Sequence, residues 1–142
     1  MGGICKEPEG QWFVWRYPFS QETQSRFVSD TKPKENVKIN YLELSALLEQ
    51  VHLFAHNMQP LDQIRTAVDN TVTQGWANRG SVSSYTVVGT ILQDLNFLTR
   101  THQIYASVRR IVGTDNIMSD ASSRLNHLPE QMFLHHLSLT FL

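Results

Sequence analysis

A chain of 142 residues, 41% hydrophobic and 18% charged with a formal net charge of -1, has the size and balance of one globular domain, long enough to bury roughly 70% of its unfolded surface. The near-neutral balance excludes a global attraction to polyanions, so any nucleic-acid contact must come from a local basic patch. Cys5 is the single cysteine, which excludes an internal disulfide or a thiolate zinc cage, and no apolar run approaches the ~18 residues of a membrane span.

Gly2-Gly3-Ile4-Cys5 leads into the turn cluster Lys6-Glu7-Pro8-Glu9-Gly10 and then Gln11-Trp12-Phe13-Val14-Trp15-Arg16-Tyr17. The aromatic, β-branched run predicts a strand, and the turn makes it the second arm of a hairpin. Residues 20–38 are polar and aperiodic, which predicts a loop or ragged strand. A helix follows, with Asn40 as N-cap, Glu43 as its capping partner, and Leu44, Leu47, Leu48, Val51 and Ala55 at helical spacing. Gln63 to Asp69 reads as a short strand ending in Asp69-Asn70-Thr71. A short helix through Trp76 comes next, closed at Asn78-Arg79-Gly80. A longer helix starts near Ser83 or Ser84, with Val88, Ile91, Leu92, Leu95 and Leu98 on one stripe. Ile104 to Ile111 alternates as a further strand, and Gly113-Thr114-Asp115 turns into a helix carrying Asp120. Residues 1–128 form the expected domain. Residues 129–142 form a C-terminal amphipathic tail that docks Phe133, Leu134 and Leu137.

This order predicts an α/β fold, a mixed sheet flanked by helices, with ligands beyond the carboxyl ends of its strands. Glu43, Asp69 and Asp120 each stand where a regular element begins or ends. Each has a structural role open to it: Glu43 in a cap worth about 0.5–2 kcal/mol, Asp69 as an N-cap, Asp120 beside a helix N-terminus at roughly 0.3–1 kcal/mol. Carried on three separate elements, they can also converge. Two carboxylates ~4 Å apart repel by about 4 kcal/mol at an effective dielectric near 20, so a convergent set takes up protons or a hard divalent cation. Magnesium, or manganese in its place, is the expected ion. Trp12, Trp15, Arg79, Arg109, Arg110, Arg124 and the pair His135-His136 read better as packing or solvated surface than as a nucleic-acid patch.

The chain resembles the ribonuclease H domain of retrotransposon reverse transcriptases, most closely the divergent type of eukaryotic retroelements. The resemblance is carried by Met1-Gly2-Gly3-Ile4 with its hairpin, Tyr41 to Leu47 around Glu43, and Val68-Asp69-Asn70-Thr71. It continues through Trp76 with the Asn78-to-Ser84 linker, and Gly113 to Ser123 around Asp120. It implies a ribonuclease H-like mixed β-sheet flanked by helices and magnesium-dependent hydrolysis of the RNA strand of RNA–DNA hybrids. Glu43, Asp69 and Asp120 are then the second, third and fourth acids of the family's metal site. The implied partners are the hybrid and the remainder of a reverse-transcriptase polyprotein, in the cytoplasm or nucleus and away from membranes.

Two departures accompany the match. The family's first aspartate lies on a first, central strand upstream of the segment that here begins at Met1, so the expected domain is incomplete at its N-terminus and its activity weak or lost. Without that strand, two sheet edges stay unpaired or the remaining strands close up differently. The loop before Asp120 also lacks the histidine that cellular members often carry. The competing expectation is a non-catalytic ribonuclease H-like module that binds nucleic acid or a protein partner.

Overall fold

The computed structural model describes every residue except Pro8, Glu35, Asn36, residues 82–86, Asn126 and Leu142, and describes the backbone alone at Met118, Asp120, Ser123 and residues 137–141. Strand β1 (Gly2–Lys6) and strand β2 (Trp12–Arg16) form the expected antiparallel hairpin, with Gly3 opposite Trp15. Helix α1 (Gln21–Ser25) occupies the segment expected to be irregular, capped by the Ser20 hydroxyl, which accepts from the Thr23 N–H at 3.1 Å. Isolated bridges from Phe27 to Val37 and from Ser29 to Lys32 tie the rest of that segment together.

Helix α2 (Ile39–Ala55) is the spine of the molecule. Leu44, Leu47, Val51 and Ala55 are buried from it, against Val88, Leu92 and Leu95 of helix α4 (Val87–His102), Ile64 of strand β3 (Gln63–Val68) and Val108 of strand β4 (Tyr105–Arg110). Each fully buried side chain of this kind contributes about 1.5–3 kcal/mol, so this cluster outweighs any single polar contact. The expected start of α4 near Ser83 or Ser84 lies outside the described residues. A buried Gln50 Nε2 donates to Thr66 Oγ1 at 3.0 Å and pins α2 to β3.

Strands β3 and β4 pair in parallel, Gln63 opposite Tyr105 through Val68 opposite Arg110. The chain enters this pair through left-handed backbone at Leu61 (φ 75°) and Gln103 (φ 53°), joined by a Leu61 N–H to Gln103 carbonyl bond of 2.8 Å. Helix α3 (Thr71–Arg79) closes as the sequence predicts, at a left-handed Gly80 (φ 66°) whose N–H returns to the Trp76 carbonyl. A short 3-10 turn (Gly113–Asp115) leads to helix α5 (Ile117–Arg124), which packs along β1, and helix α6 (Glu130–Phe141) ends the chain.

The class is therefore mixed α/β, but the single sheet expected from the element order is split. The two pairs form separate two-stranded sheets, and β1 and β3 do not hydrogen-bond to each other. The capping expectation for α2 also fails. The helix starts at Ile39, its N-cap Lys38 makes no side-chain cap bond, and Asn40 lies inside the first turn. Asn40 is instead engaged by Asn70, a tertiary partner that outcompetes local capping. The C-terminal tail is a helix anchored by Phe133, which is 3% exposed, whereas Leu134 is 48% exposed. The Leu137 side chain lies outside the described residues. Arg16 fastens this end by donating to the Leu125 and Leu128 carbonyls at 2.7 and 2.6 Å, with its guanidinium 4.3 Å from the Phe133 ring centre.

Candidate functional site

Asp69 is the first residue after β3, and Asn70 converts the strand end into a helix start. The Asn70 side-chain oxygen accepts from the Val72 and Thr73 N–H groups at 2.8 and 3.2 Å, while its Nδ2 donates to Asn40 Oδ1 at 2.6 Å. Asn40 stands three residues before Glu43 on α2, so the same contact brings Glu43 to the start of α3. There Thr73, fully buried, donates its hydroxyl to Glu43 Oε2 at 3.1 Å.

Burial is the first cause that raises the Glu43 carboxyl above its ordinary value. The charge of Asp69 and a hydrogen bond shared with it act in the same direction, against the lowering bonds from Thr73 and Asn70. Glu43 and Asp69 thus face each other closely enough to favour a proton held between them. The turn after β4 runs past this pair, with the Cβ position of Gly113 3.9 Å from Asp69 Oδ2.

Both acids line a cleft of about 610 Å³, together with Asn116 and Ser119 at the start of α5. Its far wall carries Arg124 and the aromatic pair Phe19 and Phe27, stacked edge to face at 5.6 Å. Two of the three predicted acids therefore meet. The third, Asp120, follows Ser119 on α5, and the placement of its carboxylate lies outside the described residues. Among the described residues no set of three histidine, cysteine, aspartate or glutamate side chains is arranged to hold a metal ion.

The remaining polar and aromatic candidates read as surface or packing. Arg79, Arg109 and Arg110 are exposed. Trp12 is 47% exposed with Lys6 5.2 Å from its ring centre, and Trp15 lies over Gly3. No described helix is long and apolar enough to cross a membrane.

Thr73, Asn70, Asn116 and Ser119 belong to the site and were not singled out from sequence. Asn70 had a usable signal, a cap-type residue directly before a helix. Thr73 had none, because its role depends on a partner thirty residues away in the chain.

The arrangement defines a mixed α/β protein with a carboxylate pair at the end of a parallel strand, in a cleft whose other polar groups are amide and hydroxyl oxygens. Those are hard donors, suited to a divalent oxygen-seeking cation, and without one the pair favours a proton. Comparison of the chain with protein-family models, curated proteins and solved structures gives no match.

Proposed function

We propose that this cleft is the phosphodiester-cleaving site of a ribonuclease H-like domain from a retroelement reverse transcriptase, with the RNA strand of an RNA–DNA hybrid as substrate. The observation that carries the reading is the pairing of Glu43 with Asp69 in one cleft bordered by α5, the helix that bears Asp120. Two carboxyls held toward proton uptake by burial and mutual charge are a donor pair that a magnesium ion relieves, and Glu43 and Asp69 would hold it. Bound there, the ion supplies Lewis-acid stabilisation of a phosphoryl oxygen and an acidified water.

The residues of the chain do the rest. Thr73 fixes one oxygen of Glu43, leaving the other toward Asp69 and the cleft. Asn70 sets the distance between α2 and the strand end. The Phe19 and Phe27 rings offer a face for a base or sugar, and Arg124 offers charge to the strand backbone. Because the family's first aspartate has no counterpart in this chain, the expected activity is low.

Single-turnover cleavage of an end-labelled hybrid, with and without millimolar magnesium, tests the reading. Slow, magnesium-dependent cuts in the RNA strand that disappear in Asp69→Asn support it. Cleavage that survives Asp69→Asn, or no cleavage together with no magnesium-dependent gain in thermal stability, overturns it. The second reading is a non-catalytic module that binds nucleic acid or a protein, favoured by the meeting of only two described carboxylates in the cleft. It expects retained hybrid or protein binding with no response to magnesium.

A further inference from the structure

Two strand edges in this fold are turned toward one gap. In the hairpin, Met1 and Tyr17 exchange bonds of 2.8 Å and the Glu7 N–H reaches the Gln11 carbonyl at 2.9 Å. Alternation along an antiparallel ladder then points the peptide groups of Gly2 and Ile4 away from β2. In the parallel pair, the Tyr105 N–H donates to the Asp62 carbonyl and the Ile111 N–H to the Val68 carbonyl. The even-numbered positions of β3 therefore serve β4, and Gln63, Arg65 and Ala67 direct their N–H and C=O groups the other way.

The outer edge of β4 is treated differently. Asn78 donates to the Val108 carbonyl at 2.8 Å and accepts its N–H at 3.1 Å, which caps that edge. No comparable partner is printed on the chain for the inward rims of β1 and β3, which stay largely beyond 8 Å of each other. They nevertheless line one cavity of about 110 Å³, with Gly2 and Gly3 on one side, Ala67 and Val68 on the other, and Ala46 and Leu47 of α2 between. Neighbouring strands lie ~4.8 Å apart, so two rims about 9.6 Å apart leave room for one strand.

A third observation comes from Trp15, whose ring packs over Gly3 and also lines this cavity. Its Nε1–H is the one buried side-chain polar atom without a hydrogen-bond partner among the described residues. Such a donor costs about 1–3 kcal/mol, and a strand carbonyl is the acceptor it lacks. The charge of the lining is one-sided, since it includes Glu43 and Asp69 but no lysine, arginine or histidine.

We propose that the gap between β1 and β3 receives one extended peptide strand from a partner chain, pairing with both rims and joining the two small sheets. Side chains facing α2 are apolar, because they rest on Ala46 and Leu47. The residue passing Glu43 and Asp69 is basic, which answers the two acids. A second copy of this chain does not fit, because each of its strands already has one paired edge and offers only one more. The slot needs a strand free on both sides. The inference does not depend on the catalytic reading, because backbone pairing needs neither metal nor cleavage.

The test uses the full chain in metal-free buffer and a blocked peptide of about six residues, alternating valine and threonine and ending in lysine. Hydrogen exchange should slow at the amides of Gly2 and Ile4 on one rim and Arg65 and Ala67 on the other, and the Trp15 indole N–H should become protected. Trp15→Phe should weaken binding about five- to tenfold, the loss of one hydrogen bond. A peptide N-methylated at alternate positions should not bind. Protection at only one rim, equal binding of the N-methylated peptide, or rim protection that rises with protein concentration in the absence of peptide would each overturn the proposal. The last outcome would assign the slot to a second copy.

Discussion

Asn70 reaches from the end of β3 to the first turn of α2, its Nδ2 donating to Asn40 Oδ1 at 2.6 Å while its oxygen caps α3. One side chain thereby sets the start of a helix and the spacing between the two elements that carry Glu43 and Asp69. An amide suits this double duty because it donates and accepts at once.

Asn70→Ala removes both functions and is expected to cost about 1–2 kcal/mol, most of it from the lost cap. Asn40→Ala removes only the strut and should cost about 0.5–1.5 kcal/mol. Urea denaturation of the two single variants and the double variant checks this. Fully additive losses would show that the two side chains do not interact.

Glu43 makes stability depend on pH in a direction opposite to that of a salt-bridged acid. Its folded-state carboxyl is raised above the ordinary 4.5 by burial and by Asp69. The folded state therefore holds this proton more tightly than the unfolded chain does. The contribution is fully present below the unfolded value and is lost as pH rises through the raised folded value. Glu43→Gln keeps an acceptor for Thr73 and carries no charge, so its stability relative to the parent should rise with pH across that window and level off above it. Thermal unfolding from about pH 3.5 to 7.5 measures this; a difference that stays flat across the range would contradict the assignment.

Arg16 holds the C-terminal helix by two charge-assisted bonds to carbonyls and by lying on Phe133. Arg16→Ala should cost about 2–3 kcal/mol and speed hydrogen exchange through α6 ahead of the core around Leu44. Arg16→Lys should recover little, because an ammonium cannot reproduce the planar fork to two acceptors. Full recovery by lysine would mean that charge alone holds the helix.

The elements whose signals are local were legible in the chain. The hairpin showed in an aromatic run beside a glycine-rich turn, and α3 ended at Gly80 because only a residue without Cβ takes the left-handed cap cheaply. The apolar face of α2 showed in the spacing of Leu44, Leu47, Val51 and Ala55. Errors came where a side chain had two possible partners. Asn40 looks like an N-cap in isolation, and only the approach of Asn70 recruits it to another element. The segment before α2 looked shapeless because α1 is short and its bridges join residues with no periodic pattern.

The sequence by itself determined which residues are acids at element ends and which faces are apolar, since propensity and periodicity act over a few residues. It also singled out Glu43 and Asp69 as candidates. Their meeting was decided by the tertiary structure, through the Asn40–Asn70 strut and the buried Thr73 hydroxyl. The split of the strands into two sheets was decided there as well, leaving the β1 and β3 rims turned toward one cavity. Both outcomes depend on contacts between residues far apart in the chain. Such contacts form only where packing of the whole core brings the elements together, and no local pattern encodes them.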